Sequence, residues 1–250
     1  MTQLFQSVSE WLEFKKTISG KTLGFVPTMG ALHEGHLALM KKSMSENDLT
    51  AVSIFVNPTQ FNDPNDLTHY PRTPKEDFAL LESIGVPYLI SPEISELYPD
   101  QYRYQVSEKE ESKILCGAHR PGHFDGVLTI VLKLLNLTQA DRAYFGEKDF
   151  QQLRLIQGMA KAFFIPTEII ACPTLREQDG LAMSSRNRRL TPEQRKLAAT
   201  FPKVLREAKT PEKAVQDLRT HGFEIDYIEE HWGRRLGAVK LGTVRLIDNV

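Results

Sequence analysis

The segment GFVPTMGALHEGHLAL, Gly24 to Leu39, decides how the chain is read. It begins in a short apolar run, Leu23–Val26, closed by Pro27, and passes through a loop bearing Gly30 and Gly35. At about His36 it enters a stretch with Leu37, Met40 and Met44 at helical spacing. The succession predicts a buried strand, a loop and a helix. Open parallel sheets bind ligands at the carboxyl ends of their strands. The first turn of the following helix offers unpaired N–H groups and a partial positive charge suited to phosphate, and the two glycines permit close backbone approach. His33 and His36, three apart, can turn both imidazoles to one side of such a site and donate hydrogen bonds together.

Three other readings compete for this loop. Gly30-x-x-x-x-Gly35 mimics a P-loop, but His36-Leu37 stands where that motif needs Lys followed by Ser or Thr, so the phosphate-binding ammonium and magnesium-binding hydroxyl are missing. His33-Glu34-Gly35-His36 suggests zinc, yet HExxH places its histidines four apart and no spaced Cys/His set supplies further ligands. Taken alone, the pair also fits two surface histidines at a helix start.

Working outward, apolar runs keep alternating with helical patterns, and no internal repeat or low-complexity tract interrupts them. Strands are expected at Ala51–Val56, Tyr88–Ile90, Arg142–Phe145 and Thr167–Ala171, and helices at Lys75–Ile84, Val127–Leu137 and Phe150–Phe164. The alternation predicts an α/β, Rossmann-like parallel sheet with helices on both faces. After Pro173 the stretch Leu175–Arg189 turns polar, and Thr191-Pro192-Glu193-Gln194 reads as an N-cap, a first-turn proline and a capping box. Helices at Glu193–Thr200 and Pro211–Thr220, then strand-like Phe223–Ile228 and Thr243–Ile247, predict a small C-terminal α+β lid. The boundary is placed near residue 174, giving domains 1–174 and 175–250, with the polar stretch as a flap.

Composition limits the partners. At 250 residues there is room for one large domain, or a large one plus a small one. Lys+Arg 31 against Asp+Glu 32 leaves a net charge of −1, without the positive field that drives non-specific nucleic-acid binding, so no nucleic-acid partner is expected. Cys116 and Cys172 form no disulfide framework and no metal spacing; both read as small buried hydrophobes in a reducing compartment. The amino-terminal MTQLFQSVSEWLEFKK lacks the apolar core of a secretory signal, and no run approaches the ~20 residues that span a bilayer, so a cytoplasmic protein with no membrane partner is expected.

Strand, Pro-Thr-Met-Gly, HxGH and helix in that order resemble the class I nucleotidyl-transferase superfamily, and PTMGALHEGHL resembles the pantoate–β-alanine ligase family in particular. The likeness recurs down the chain in FVNPTQF (Phe55–Phe61), YPRT (Tyr70–Thr73), RPGHFDGV (Arg120–Val127), FGEKDFQQL (Phe145–Leu153), AMSSRN (Ala182–Asn187) and RLIDN (Arg245–Asn249). It implies an enzyme that joins (R)-pantoate to β-alanine through a pantoyl adenylate, using ATP with Mg²⁺, releasing AMP and pyrophosphate, and working as a homodimer. By the same resemblance His36, His33, Lys148 and Arg186 are the catalytic set, with His36 a proton donor. ATP would be held by Met29, Gly30, Ala31, Leu32, His33, Glu34, Gly35 and His36, by Gly146, Glu147, Lys148 and Asp149, and by Leu175, Met183, Ser184, Ser185 and Arg186. Gln60 would touch pantoate and β-alanine, and Gln152 pantoate.

The chemistry of these residue types fits those tasks. Lys148 follows a strand end where phosphates lie, Ser184 and Ser185 offer hydroxyl donors, and Arg186 can grip phosphate oxygens in a fork. An amide such as Gln60 or Gln152 accepts from hydroxyls and donates to a carboxylate. Arg120 and His123 are open between anion binding and a plain tight turn. Glu76 and Asp77 stand where the resemblance sometimes places acids near Mg²⁺, but at an exposed helix start acids are ordinary dipole partners, and no metal site is assigned. HWGRRLG, between Tyr227-Ile228-Glu229-Glu230 and Ala238–Asn249, is shorter than the family's strand–loop–strand passage, so a trimmed lid is expected. Three rivals stand beside this reading: a sister nucleotidyl transferase that makes a dinucleotide or activates a different acid, a non-catalytic nucleotide- or RNA-binding module of the same fold, and a zinc hydrolase.

Overall fold

A computed structural model describes residues 1–250. Its main sheet has six parallel strands: β1 (Gln3–Phe5), β2 (Leu23–Thr28), β3 (Leu49–Ile54), β4 (Tyr88–Ile90), β5 (Arg142–Gly146) and β6 (Glu168–Cys172). Their order is β1-β4-β3-β2-β5-β6, so the chain reverses direction across the sheet between β2 and β5. That is a topological switch point, where neighbouring connections leave on opposite faces and open a crevice at the carboxyl ends. The expected Rossmann-like architecture is present.

The helices are α1 (Val8–Thr17), α2 (Glu34–Glu46), α3 (Pro64–Thr68), α4 (Pro74–Ile84), α5 (Ile94–Leu97), α6 (Cys116–His119), α7 (His123–Thr138), α8 (Phe150–Ala162), α9 (Pro192–Ala198), α10 (Thr200–Glu207) and α11 (Pro211–Thr220). Alternation along the strands builds a core on each face of the sheet. Leu23 and Phe25 of β2 join Trp11 of α1 and the apolar side of α7 and α8. Val26 and Val52 point the other way, onto Leu37 and Met40 of α2 and Leu81 of α4. None of these helices is long and apolar enough to cross a membrane.

A second sheet, β7 (Glu224–His231), β8 (Arg234–Leu241) and β9 (Val244–Asn249), is antiparallel in the order β7-β8-β9. Phe201, Leu205 and Leu218 of α10 and α11 pack on it. HWGRRLG does not trim this sheet: it supplies the end of β7, a two-residue turn and the start of β8. Trp232 and Gly233 take φ of 53° and 73°, the geometry that matches hairpin twist.

Several elements escaped the sequence pattern. β1 is only three residues long, and α1 is too charged to show a broad apolar stripe, although Ser7 and Glu10 close a capping box at its start. In α10, Pro202 reads as a breaker but sits in the first turn, where no intrahelical donor is needed. β8 hides behind Arg234-Arg235 and Gly237; a side chain at Gly237 would press on Phe201 and Leu205 at 3.1 Å. β2 also runs past Pro27 to Thr28. The Leu23 carbonyl accepts from Asp141 and the Thr28 carbonyl from Phe55, so odd-numbered residues of β2 face β5. The β2–β5 register ends at Phe25↔Ala143, and Pro27 therefore withholds its N–H only where that ladder has opened.

Candidate active site

The crevice lies where β2 and β5 part. Its wall collects the chain leaving β2 (Thr28, Met29), β3 (Asn57, Gln60), β5 (Gly146, Lys148, Asp149) and β6 (Pro173, Thr174, Leu175), enclosing about 230 Å³. His33, Gly35 and His36 from the start of α2, Gln152 from α8, and Met183, Ser184, Ser185 and Arg186 complete it. Four cation or imidazole side chains separated by up to 153 residues in sequence thus meet at one opening with both glutamines.

His33 caps α2, and its Nδ1 accepts the Gly35 N–H at 3.1 Å; the Nδ1 of His36 accepts the His33 N–H at 3.3 Å. A neutral imidazole that accepts at Nδ1 carries its proton on Nε2. Both rings are therefore Nε2–H donors, stacked 4.0 Å apart and tilted by 35°. Burial lowers His33 to about 4, helped by the charges of Lys148 and Arg188, and lowers His36 to about 3, helped by His33 and Lys148. At neutral pH neither ring is cationic, so each presents an Nε2–H donor on the crevice wall. Gly35 is required because a Cβ there would stand 2.9 Å from the His33 ring.

The loop before these histidines does not bind an external anion with all of its backbone. The carboxylate of Asp77, on α4, accepts the N–H groups of Ala31 and Leu32 at 2.9 and 2.8 Å. Asp77 is 3% exposed, and it clamps a loop in which Ala31 holds φ of 48°. Gly30, Ala31 and Leu32 consequently lie beneath the crevice wall, and Glu34 faces solvent. Asp77 is thus a loop clamp rather than a dipole partner on an exposed helix start, and nothing local in the sequence marks a carboxylate whose partners lie 45 and 46 residues away.

Lys148 rises from the turn Glu147–Asp149 after β5, 3.6 Å from Asp149. That turn is held from the second sheet. Asn249 of β9 donates to the carbonyls of Glu147 and Lys148 at 2.8 and 3.1 Å, and Arg234 of β8 pairs with Glu147 at 2.9 Å. Glu147 is thereby turned away from the crevice. Asp248, beside Asn249, takes Arg176 in a two-pronged pair at 2.6 and 2.9 Å. One strand end thus fixes both Lys148 and the flap, which gives RLIDN its structural purpose.

The flap is an ordered loop: Arg176 bridges Ala182, and Met183 N–H reaches the Leu175 carbonyl at 3.0 Å. Its far end, the turn Ser185–Arg189, is tied to α3. Asp66 accepts from Arg186 at 2.9 Å and from Arg189 at 2.8 Å, while Arg186 lies over the Tyr70 ring. Burial alone would raise Asp66, but the two guanidiniums outweigh it and hold the carboxyl below its ordinary range. Asp66 lies outside every motif of the sequence, and Tyr70 enters only as the first residue of YPRT.

Gln60 is oriented by Asn57, whose amide donates to its Oε1 at 3.0 Å, and its own Nε2 reaches the Met29 sulfur at 3.2 Å. The Gln60 turn fits only because residue 126 is glycine: a Cβ there would come within 2.4 Å of the Thr59 carbonyl oxygen. Gln152 also lines the crevice, with Lys148 and Asp149 one turn before it on the same wall. Cys116 and Cys172 are free and buried. Cys116 is not surrounded by hydrocarbon alone, since its sulfur lies 3.1 Å from the Tyr227 hydroxyl and 3.5 Å from the Arg245 guanidinium. No three His, Cys, Asp or Glu side chains converge as a metal-holding group.

Comparison with known proteins agrees with this geometry. The family model described as pantoate-beta-alanine ligase matches residues 2–250. A pantothenate synthetase of Bdellovibrio bacteriovorus is 55% identical over 250 residues, spanning 100% of this chain and 99% of that protein. One from Legionella pneumophila is 53% identical over 248 residues, 99% of this chain and 98% of that protein. Among solved structures, the pantoate-beta-alanine ligase of Francisella tularensis, crystallised with beta-gamma ATP and beta-alanine, superposes with a TM-score of 0.96 at 42% identity over 100% of this chain and 97% of that one. The pantothenate synthetase of Thermus thermophilus gives 0.93 at 38%, over 100% and 99%. With a family match over essentially its whole length and relatives above half identity, this chain belongs to the pantoate–β-alanine ligase family.

Proposed function

We propose that this crevice carries out ATP-dependent ligation of (R)-pantoate and β-alanine to pantothenate, the reaction of its family, with the residue roles that follow. A carboxylate oxygen of pantoate attacks the α-phosphorus of ATP, the bond to the bridging oxygen breaks, and pyrophosphate leaves. The amine of β-alanine then attacks the acyl carbon of the pantoyl adenylate, gives up a proton, and expels AMP. Phosphorus chemistry of this kind needs positioning and preorganised positive groups more than covalent catalysis.

His33 and His36, as neutral Nε2–H donors, bind phosphate oxygens and meet the charge that develops on them, and Lys148 and Arg186 supply the positive charge. Ser184 and Ser185 add hydroxyl donors, and the backbone of Met29, Gly35, Gly146 and Leu175 shapes the nucleotide's bed. Gln60 holds pantoate and β-alanine, and Gln152 holds pantoate. Magnesium fits as an ion carried on the triphosphate with its own waters, because Asp149 is the one carboxylate on the crevice wall and no closed ligand cage surrounds it. When bound, the ion neutralises charge on the phosphates. Residues 1–174 act as the nucleotide- and pantoate-binding domain and 175–250 as a lid whose flap, Leu175–Arg189, excludes water that would hydrolyse the adenylate. The enzyme works in the cytoplasm as a homodimer.

What supports the reading is the meeting of His33, His36, Lys148, Arg186, Gln60 and Gln152 on one opening at the switch point of the sheet. Pantoate-dependent exchange of labelled pyrophosphate into ATP, without β-alanine, tests it directly. Exchange that proceeds equally without pantoate, or not at all, would eliminate the adenylation step.

A further inference from the structure

Arg120 stands apart from the other arginines around the crevice. It leaves the turn between α6 and α7, where Nη1 reaches His123 Nε2 at 3.0 Å and Nη2 donates to the Gln60 carbonyl at 3.2 Å. His123 uses its Nδ1–H on the same carbonyl at 2.8 Å, so its Nε2 is an acceptor and the ring is neutral. Arg186, Arg189 and Arg245 each face a carboxylate within 3 Å, whereas both partners of Arg120 are uncharged. Of its five N–H donors, three are unengaged. Burial, together with the neighbouring charges of Arg186 and Arg245, presses its pKa down to about 10. A half-buried guanidinium without a counter-ion is a site of strain that an arriving anion relieves.

The space in front of it is built to admit one. A groove of about 650 Å³ between α3, the flap and the second sheet carries Arg120, Lys148, Arg186, Arg189, Lys240 and Arg245. Its acids, Asp63, Asp66, Asp149 and Asp226, are fewer, and Asp66 and Asp226 are already taken up by Arg186, Arg189, Lys240 and Arg245. Lys148 and Arg186 belong to this groove and to the crevice alike, so the two spaces adjoin at the reacting centre. A small side pocket joins Arg120 and His123 to Gln152.

We propose that Arg120, backed by His123, anchors an anion subsite in this groove, taking an anionic oxygen from the carboxylate of the attacking amino acid or from the leaving pyrophosphate. The inference rests on the ligation reading above. The amine of β-alanine sits two methylenes from its carboxylate, so an amine aimed at the acyl carbon beside Gln152 carries its charge away from the crevice, toward the groove. Pyrophosphate, released between Lys148 and Arg186, enters the same groove by the shared wall. Because Arg120 and His123 both hold the Gln60 carbonyl, the anion and the amide that grips pantoate are mechanically linked.

The test uses Arg120→Gln and Arg120→Lys in the full chain, with β-alanine, its neutral carboxamide 3-aminopropanamide, and inorganic pyrophosphate as probes. If the carboxylate is the occupant, R120Q raises the KM for β-alanine at least tenfold and abolishes the preference over the carboxamide, while R120K, which keeps the charge, retains part of that preference. If pyrophosphate is the occupant, R120Q weakens its inhibition of adenylation at least tenfold and the KM for β-alanine stays put. Discrimination and inhibition both within threefold of the parent, whatever happens to turnover, would overturn the subsite and reduce Arg120 to a brace for Gln60. A parent enzyme without pantoate-dependent exchange would instead bring down the ligation reading, and this inference with it.

Discussion

Acid should weaken this protein in a window set by three histidines, His123 buried and His33 and His36 half-buried on the crevice wall. His33 is held at about 4, and His36 and His123 at about 3, each chiefly by burial. In the unfolded chain the same rings titrate near 6.5. A base whose folded pKa is lowered binds more protons when unfolded, so its contribution is complete above pH 6.5 and is lost as pH falls toward the folded value. Between pH 7 and pH 5 each ring costs about 1.8 kcal/mol, and the three together about 5 kcal/mol. That is a large part of a typical total of roughly 5–15 kcal/mol. Carboxylates with lowered pKa, such as Asp66, lose their contribution only below about pH 4, outside this interval. Urea midpoints recorded in half-unit steps should fall steadily from pH 7 to 5, and His123→Asn should remove about a third of the slope. A midpoint that is flat or rises on acidification would show that the imidazoles are charged in the folded protein, and the neutral-donor description of His33 and His36 would go with it.

Other perturbations read different parts of the site. Gly126→Ala puts a methyl 2.4 Å from the Thr59 carbonyl oxygen, so it should cost about 1–3 kcal/mol and raise the KM for pantoate by displacing Gln60; an unchanged KM would mean the turn adapts freely. Asp77→Asn leaves one of two loop N–H groups facing a donor, an expected loss of about 1–3 kcal/mol, or roughly 2–12 °C in Tm, with slower adenylation. A variant as stable and as active as the parent would deny Asp77 its clamping role. His36→Ala should slow pyrophosphate exchange by about 10²–10³, as for one preorganised donor to developing charge; less than threefold would remove His36 from the chemistry.

How far the fold was legible depends on how locally each element is specified. The start of α9 was readable to within a residue, because Thr191, Pro192 and Gln194 make an N-cap, first-turn proline and capping box with no help from the rest of the chain. α4 was readable because Gly85 stops it in the left-handed region. β8 and α10 were not, since Gly237 and Pro202 look like breakers until their surroundings are known: one makes room for Phe201, the other falls in a first turn. β3 was placed two residues late, at Ala51–Val56 in place of Leu49–Ile54, because an apolar run continues past the point where strand pairing ends.

The site divides in the same manner. His33, His36, Lys148, Arg186, Gln60 and Gln152 could be named from their motifs, and all six reach the crevice. The contacts that hold them could not: Asp77 under the histidine loop, Asp66 on Arg186, and Asn249 behind Lys148. Asp66 and Arg186 are 120 residues apart, and Asn249 and Lys148 are 101 apart. Caps, periodicity and turns are interactions between near neighbours, so the order of residues is enough to specify them. A buried carboxylate finds its N–H groups, and a guanidinium its counter-ion, only after distant segments have packed, because such pairs depend on distance in space and leave no period in the chain.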